Sequence, residues 1–514
     1  MKKLALIVIS LSMGTLQAQK KVTTKVADPQ LFAKTITQSE LKDHLYTYAS
    51  DEFEGRETGE PGQKMAVAYL KKQYVALGIP AAKGGDDYFQ SIALEVRKIP
   101  TGTMTMGTSS LENGEGFMTF NSFNGNFKSI VYANYGIEEG MYSDYASIDV
   151  KGKVVLLKSG EPKDAKGNFL LSGSSEASKW SNISEALSKR VAVAKEKGAV
   201  AILFFDQANF DRYQRRFNYM KQNNSGNMEI KALSKETTPS FYLNTEFANN
   251  ILSGIETDMK ARVLNTPVSF AVKSANKEVL SENVVALLKG SEFPEEYIVI
   301  SSHLDHVGVN SDGEIHNGAD DDGSGTVALL EIAEAFKDAA NNGKGPKRSI
   351  VFLHVTGEEK GLLGSQYYTD VDPIVPLANT VANLNIDMVG RIDPERKGDR
   401  NYIYLIGSDK LSTELHELSE AVNKKYTNIA LDYTYNDEND PNRFYYRSDH
   451  YNFAKNNIPI IFYFNGTHVD YHKPSDTPDK INYDLLENRT RLVFYTAWEL
   501  ANRANRIVVD KTAK

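Results

Sequence analysis

From residue 283 onward the chain alternates short, continuous apolar runs with longer amphipathic ones. The runs Asn283–Leu288, Tyr297–Ser302, Ser349–Val355, Thr380–Met388, Tyr402–Ile406 and Pro459–Phe464 predict strands. Thr326–Lys337, Lys410–Lys425 and Tyr483–Asn505 carry apolar residues at helical spacing and predict helices. Strands without polar alternation are buried on both faces, so the pattern predicts an α/β fold whose mixed, mostly parallel sheet is flanked by helices. Functional residues of such sheets gather at strand ends and in the loops that follow. Nearer the N-terminus, Leu41, Leu45, Tyr48 and Ala49 share one helical face, and Met65–Leu77 forms a second amphipathic helix stopped by Gly78.

Between 118 and 278 the pattern changes. Short β-branched runs (Ser129–Tyr132, Val154–Leu157, Val200–Phe205) and one helix, Ser184–Lys197, are separated by the polar stretches Asp164–Ser181 and Asp206–Lys235. This predicts an inserted β-rich domain. The expected organisation is a leader at 1–18, one domain split into 19–117 and 279–514, and the insertion at 118–278.

The leader rests on Lys2 and Lys3, the apolar stretch Leu4–Met13, and the small-residue site Leu16-Gln17-Ala18. That is the layout of a secretory signal peptide, so the protein is expected to be exported, to a periplasm or beyond. No other apolar run reaches membrane-spanning length, so no stable membrane insertion is expected. The 514 residues carry a net charge of −8 and contain no cysteine. An acidic chain without long basic runs argues against a nucleic-acid partner. The missing cysteines exclude disulfides, thiolate catalysis and sulfur-ligated metal.

Eight of the nine histidines lie at or after residue 303, several where a strand gives way to a loop. The strand ending at Ser302 runs into His303-Leu304-Asp305-His306, where Asp305 can hold an imidazole by its second nitrogen. Asn317–Gly325 carries three adjacent aspartates, Asp320, Asp321 and Asp322, ahead of an apolar helix. They repel one another unless a cation balances them, although a solvated loop or a helix cap would also accept aspartate. Strand Ser349–Val355 leads to Glu358-Glu359, a pair in which one carboxylate can bind metal while the other accepts a proton. Asp387 stands inside the otherwise apolar Ile386-Asp387-Met388-Val389, a costly place for an unpartnered charge. The loop after Phe464 adds His468, Tyr471, His472 and Asp476. Imidazoles and carboxylates at successive strand ends, with no sulfur, suit zinc, with cobalt or manganese as alternatives. They describe a metallohydrolase.

The order His303-x-Asp305, Gly318-Ala-Asp-Asp-Asp-Gly-Ser-Gly, Gly357-Glu-Glu, Asn385-Ile-Asp387 and Tyr471-His472 resembles the M28 family of zinc aminopeptidases over residues 283–505. The lead-in Ala49–Gly59 also looks like that family, and the insertion resembles a protease-associated domain. The resemblance implies a zinc-exopeptidase-like fold and two Zn2+ per chain, held by His303, Asp321, Glu359, Asp387 and His472. Asp321 would bridge the two metals, with Glu359 and His472 on one and His303 and Asp387 on the other. Glu358 would be the general base, Asp305 the carboxylate orienting His303, and Tyr471 an oxyanion donor. The Asp321–Asp322 bond is expected to be cis. The implied partners are peptides with a free N-terminus. A carboxypeptidase, a dipeptidase, a glutaminyl cyclase or a non-catalytic binding protein on the same scaffold are the competing readings. A serine hydrolase is disfavoured, since no Gly-x-Ser-x-Gly elbow precedes a helix.

Overall fold

The computed structural model describes residues 27–512 apart from 183, 235 and 236. The expected leader at 1–18 lies outside them. Among the described residues no helix is long and apolar enough to cross a membrane.

The main sheet has nine strands: β1 (Phe89–Lys98), β2 (Gly226–Ile230), β3 (Lys277–Leu288), β4 (Phe293–His303), β5 (Arg348–Val355), β6 (Thr380–Ile386), β7 (Tyr402–Ile406), β8 (Ala430–Asp432) and β9 (Ile460–Phe464). Their order is β2-β1-β3-β5-β4-β6-β9-β7-β8. The centre, β5-β4-β6-β9, is parallel, and antiparallel strands extend it on both sides. Each apolar run expected from 283 onward falls within one of these strands to within two residues.

The period of two along each strand divides its side chains between two cores. Ile298 and Ile300 of β4 face one, and Val299 the other. The first core is covered by helices α1 (Gln38–Tyr48), α2 (Pro61–Leu77), α3 (Gly325–Asn341), α5 (Thr413–Tyr426) and α6 (Tyr483–Asn502). The second lies under α4 (Leu363–Asp370) and the short helix His450–Ala454. Thr37 caps α1: its hydroxyl accepts from the Glu40 N–H and donates to the Glu40 carboxylate. Helix α2 opens on Pro61 and stops at Gly78 in the left-handed region (φ 67°).

The intervening segment forms two further sheets, of six and four strands, whose core is rich in phenylalanine (Phe117, Phe241, Phe247, Phe270). Two findings differ from the expected organisation. The four-stranded sheet includes Thr101–Met106 and Ser109–Glu112, so this unit starts ahead of residue 118. Ser109–Glu112 pairs with Thr101–Met106, which in turn pairs with Val268–Lys273, a partner that local periodicity does not reveal. The stretch 206–235, expected to be polar linker, holds a helix, Gln207–Gln222, and β2. Only Phe210, Phe217 and Met220 are buried apolar residues on that helix, too few for a clear stripe. Strand β2 leaves the insertion and pairs with β1, Val96 opposite Met228.

Candidate metal centre

The four central parallel strands end on the same side, and each delivers part of one cluster. Strand β4 ends on His303. Strand β5 runs into Glu358 and Glu359, β6 into Asp387, and β9 into the loop holding Tyr471 and His472. The loop from β4 to α3 brings Asp320, Asp321 and Asp322, and the Asp321–Asp322 peptide is cis.

Two donor sets result. His303 Nε2 is 3.2 Å from Asp321 Oδ1 and 3.6 Å from Asp387 Oδ1. His472 Nε2 is 3.0 Å from Asp321 Oδ2 and 3.1 Å from Glu359 Oε2. Asp321 thus offers one oxygen to each set. Asp322, by contrast, is tied up: its carboxylate accepts the backbone N–H groups of His303, Gly325 and Met388. Asp320 faces away, with Oδ2 at 3.2 Å from His468 Nε2.

Among the described residues, no lysine or arginine pairs with Asp305, Asp321, Asp322, Glu358, Glu359 or Asp387. The basic side chains that face this cluster are imidazoles, those of His303, His306 and His472. Burial alone would lower the His303 pKa, yet Asp387 and Asp321 hold it well above the usual range. The same contest leaves His472 pushed up to about 10 by Asp321 and Glu359. Asp321 Oδ2 and Glu359 Oε1 are buried against imidazole nitrogens, those of His472 and His306. A concentrated negative field and a nitrogen–oxygen donor set fit divalent cations of the zinc type.

Glu358 has another environment. It lines a cavity with Asp321, Asp387 and Tyr471, whose far wall is Met388, Phe444, Phe462 and Phe464. Burial raises its pKa well above the carboxylate range, and Glu359 and Asp387 add to this against the opposing pull of His303. Tyr471 stacks on His472 with ring centroids 3.9 Å apart. Burial, and then the charges of Asp321 and Glu359, raise the pKa of its hydroxyl, which stays protonated.

One expected contact is different. His303 Nδ1 meets the backbone carbonyl of Asp305 at 3.0 Å, while the nearer carboxylate oxygen is 4.0 Å away. The Asp305 carboxylate instead accepts from Thr58 Oγ1 (2.7 Å) and the Glu358 N–H (3.2 Å). It ties the lead-in segment to the loop of the Glu358-Glu359 pair. The strand turns into loop immediately after His303, and this brings the main chain of Asp305 nearer the ring than its side chain.

Three further participants had no role assigned from the sequence, although His306 and Asp476 stand within its motifs. His306 is fully buried, with Nδ1 2.9 Å from Glu359 Oε1 and 3.7 Å from Asp321 Oδ2. Its place three residues after His303 was the available signal. Ser448 donates to Asp387 Oδ2 at 2.6 Å, which leaves Oδ1 facing His303. Asp476 accepts the N–H groups of Asp320 (2.9 Å) and Asp321 (3.2 Å). Nothing local marks Ser448.

Paired imidazole and carboxylate sets thus gather at the carboxyl ends of the parallel strands, a donor arrangement that can hold divalent cations. Residues 283–497 match the model of "Peptidase family M28". Similar curated proteins include Leucine aminopeptidase 2 of Trichophyton equinum, 26% identical over 295 residues, 53% of this chain and 54% of that protein. Leupeptin-inactivating enzyme 1 of Streptomyces exfoliatus is 27% identical over 238 residues, 42% of this chain and 48% of that protein. The chain spans about half the length of these two relatives, as little as 14% of another. A solved aminopeptidase from Aneurinibacillus sp. strain AM-1 covers 95% of this chain and 100% of its own, at 18% identity and TM-score 0.49.

Proposed function

We propose that the chain is an exported metallo-aminopeptidase that holds two zinc ions and cleaves the first peptide bond of peptides with a free N-terminus. The observation that carries this reading is Asp321, whose two oxygens face the imidazoles of two separate donor sets. His303, Asp321 and Asp387 would hold one ion, and Asp321, Glu359 and His472 the other. Zinc bound there supplies a Lewis acid for the scissile carbonyl and lowers the pKa of an attacking water.

The chain's own residues do the rest. Glu358, at the cavity wall, takes the proton of the attacking water and hands it to the leaving amine. Tyr471, protonated in this setting, donates its O–H to the developing oxyanion. The substrate's α-ammonium is drawn to the surrounding carboxylates. Its side chain enters the cavity walled by Met388, Phe444, Phe462 and Phe464, with the Arg447 guanidinium 4.9 Å from the Phe444 ring centre. Apolar walls and a nearby cation favour leucyl over lysyl substrates. We read the inserted unit as a protease-associated domain and residues 1–18 as the export signal.

The test is metal content together with hydrolysis of amino-acyl nitroanilides. Wild type and Glu358→Gln should both hold about two zincs per chain, while kcat in the variant falls by about 10²–10⁴-fold. Full activity of Glu358→Gln sinks the assigned base. Cleavage of N-blocked peptides only would replace the aminopeptidase reading with a carboxypeptidase one.

A further inference from the structure

A second cavity, a groove of about 610 Å³, also reaches the site. It shares no lining residue with the cavity that holds Glu358. The adjacent Glu358 and Glu359 line one each. The donor cluster therefore borders two separate cavities, through Asp321, Glu358 and Asp387 on the first and Glu359 on the second.

The floor of the groove is the face of the sheet at its β2-β1-β3 end. On β1, side chains two apart share a face. Leu94 is covered, packed with Ile230 and Leu363 at the start of α4. Two and four residues further on, Val96 and Lys98 emerge from that cover and are only half-buried. Met228 stands opposite Val96, and Val279 opposite Leu94, so Val96, Met228 and Val279 make one apolar strip. Lys98 lies about 7 Å beyond Val96 along the strand. The other lysines of the groove are paired, Lys360 with Glu57 at 2.7 Å and Lys277 with Glu60 at 3.2 Å. Lys98 has no ion-pair partner among the described residues. Gly226 is its register partner, so no side chain from β2 covers it.

We infer that this groove seats the part of the peptide beyond the bond that is cut. The side chain of the second residue lies on Val96, Met228 and Val279, and the terminal carboxylate of a short peptide meets Lys98. One wall, Asn224–Met228, comes from the insertion, which thus takes part directly in substrate binding. The inference rests on the aminopeptidase reading above. The occupant follows from continuity: the groove reaches the centre at Glu359, next to Glu358 of the cavity assigned to the first residue, and shares no lining residue with that cavity. Its chemistry follows from an apolar strip that ends on an unpaired cation, the complement of a short peptide ending in a carboxylate.

The test uses the full zinc-loaded chain, leucyl nitroanilide, and apolar leucyl peptides of two to five residues as free acids and as C-terminal amides. In wild type, kcat/KM for the free acid should exceed that for the amide at one or two chain lengths by about five- to tenfold. Lys98→Glu, and more mildly Lys98→Gln, should erase that difference. Met228→Asp should lower the ratio of peptide to nitroanilide kcat/KM, chiefly through KM. Lys98 is half-exposed, so its variants are expected to fold; circular dichroism and zinc content confirm this. Equal turnover of acids and amides at every length, or variants that shift peptides and nitroanilide alike, overturns the groove assignment and leaves the aminopeptidase reading standing. Failure of wild type on the nitroanilide and every peptide overturns both.

Discussion

Asp476 accepts the N–H groups of both Asp320 and Asp321, so it fixes the two peptide units that aim the Asp321 carboxylate. Ser448 does the same for Asp387 from the side-chain end. Groups that orient ligands in this way typically change metal affinity by about 10–100-fold when lost. Asp476→Ala is therefore expected to weaken zinc binding by about that factor, read by competition with a chromophoric chelator. Ser448→Ala should weaken it less, because Asp387 keeps its position at the end of β6. Unchanged affinity in both variants would remove their positioning role. At this scale the sequence was legible where chemistry was unusual for its place: His303, Asp387 and the Glu358-Glu359 pair stand out against apolar strands. Ser448 and His306 were not, because a serine in a polar loop and a histidine near another look ordinary until folding places them.

Helix α3 carries an unusual element-scale feature. Glu331 lies on its buried face at 1% exposure. The His44 imidazole lies beside it, with Nε2 at 3.7 Å. Burial, with the charges of Glu40 and Glu334 in support, pushes its pKa up to about 9. The folded state thus holds a proton that the unfolded chain releases near the ordinary glutamate value. Its contribution is fully present below that value and is lost as pH rises towards about 9. Glu331→Gln should flatten this slope, with a smaller difference between unfolding midpoints at pH 6 and pH 9 than in wild type. An unaltered slope would contradict a protonated Glu331. Most strands were legible at this scale, since a fully buried parallel strand leaves an unbroken apolar run. Helix Gln207–Gln222 was not, because its three buried apolar residues are diluted by polar ones. The pairing of Thr101–Met106 with Val268–Lys273 depends on a contact across the whole insertion.

Across the whole molecule, the metal centre joins four strands, α3 and the lead-in segment 56–58, so cation binding is coupled to the fold. Arg56 reinforces that junction, donating to the carbonyls of Tyr48, Leu304, Asn317 and Gly318. Zinc at about 100-fold above its dissociation constant should add about 2.7 kcal/mol of stability. Chelation should accordingly lower the thermal midpoint by a few degrees and abolish hydrolysis, both restored by zinc. A midpoint indifferent to chelator would argue against zinc in this centre.

What the sequence determined by itself was the type and place of the donors. Strand periodicity is local, and so is the adjacency that puts His303, Glu358, Glu359 and Asp387 at or just beyond strand ends. The family resemblance sharpened this by choosing Asp321 among three aspartates. Only the tertiary structure decided which oxygen faces which imidazole, that Asp305 reaches His303 through its main chain, and that β2 from the insertion walls a groove at Glu359. The physical reason is separation along the chain. Ser448 meets Asp387 across 61 residues and Asp476 meets Asp321 across 155, and such contacts follow from how the whole sheet packs, not from any local pattern.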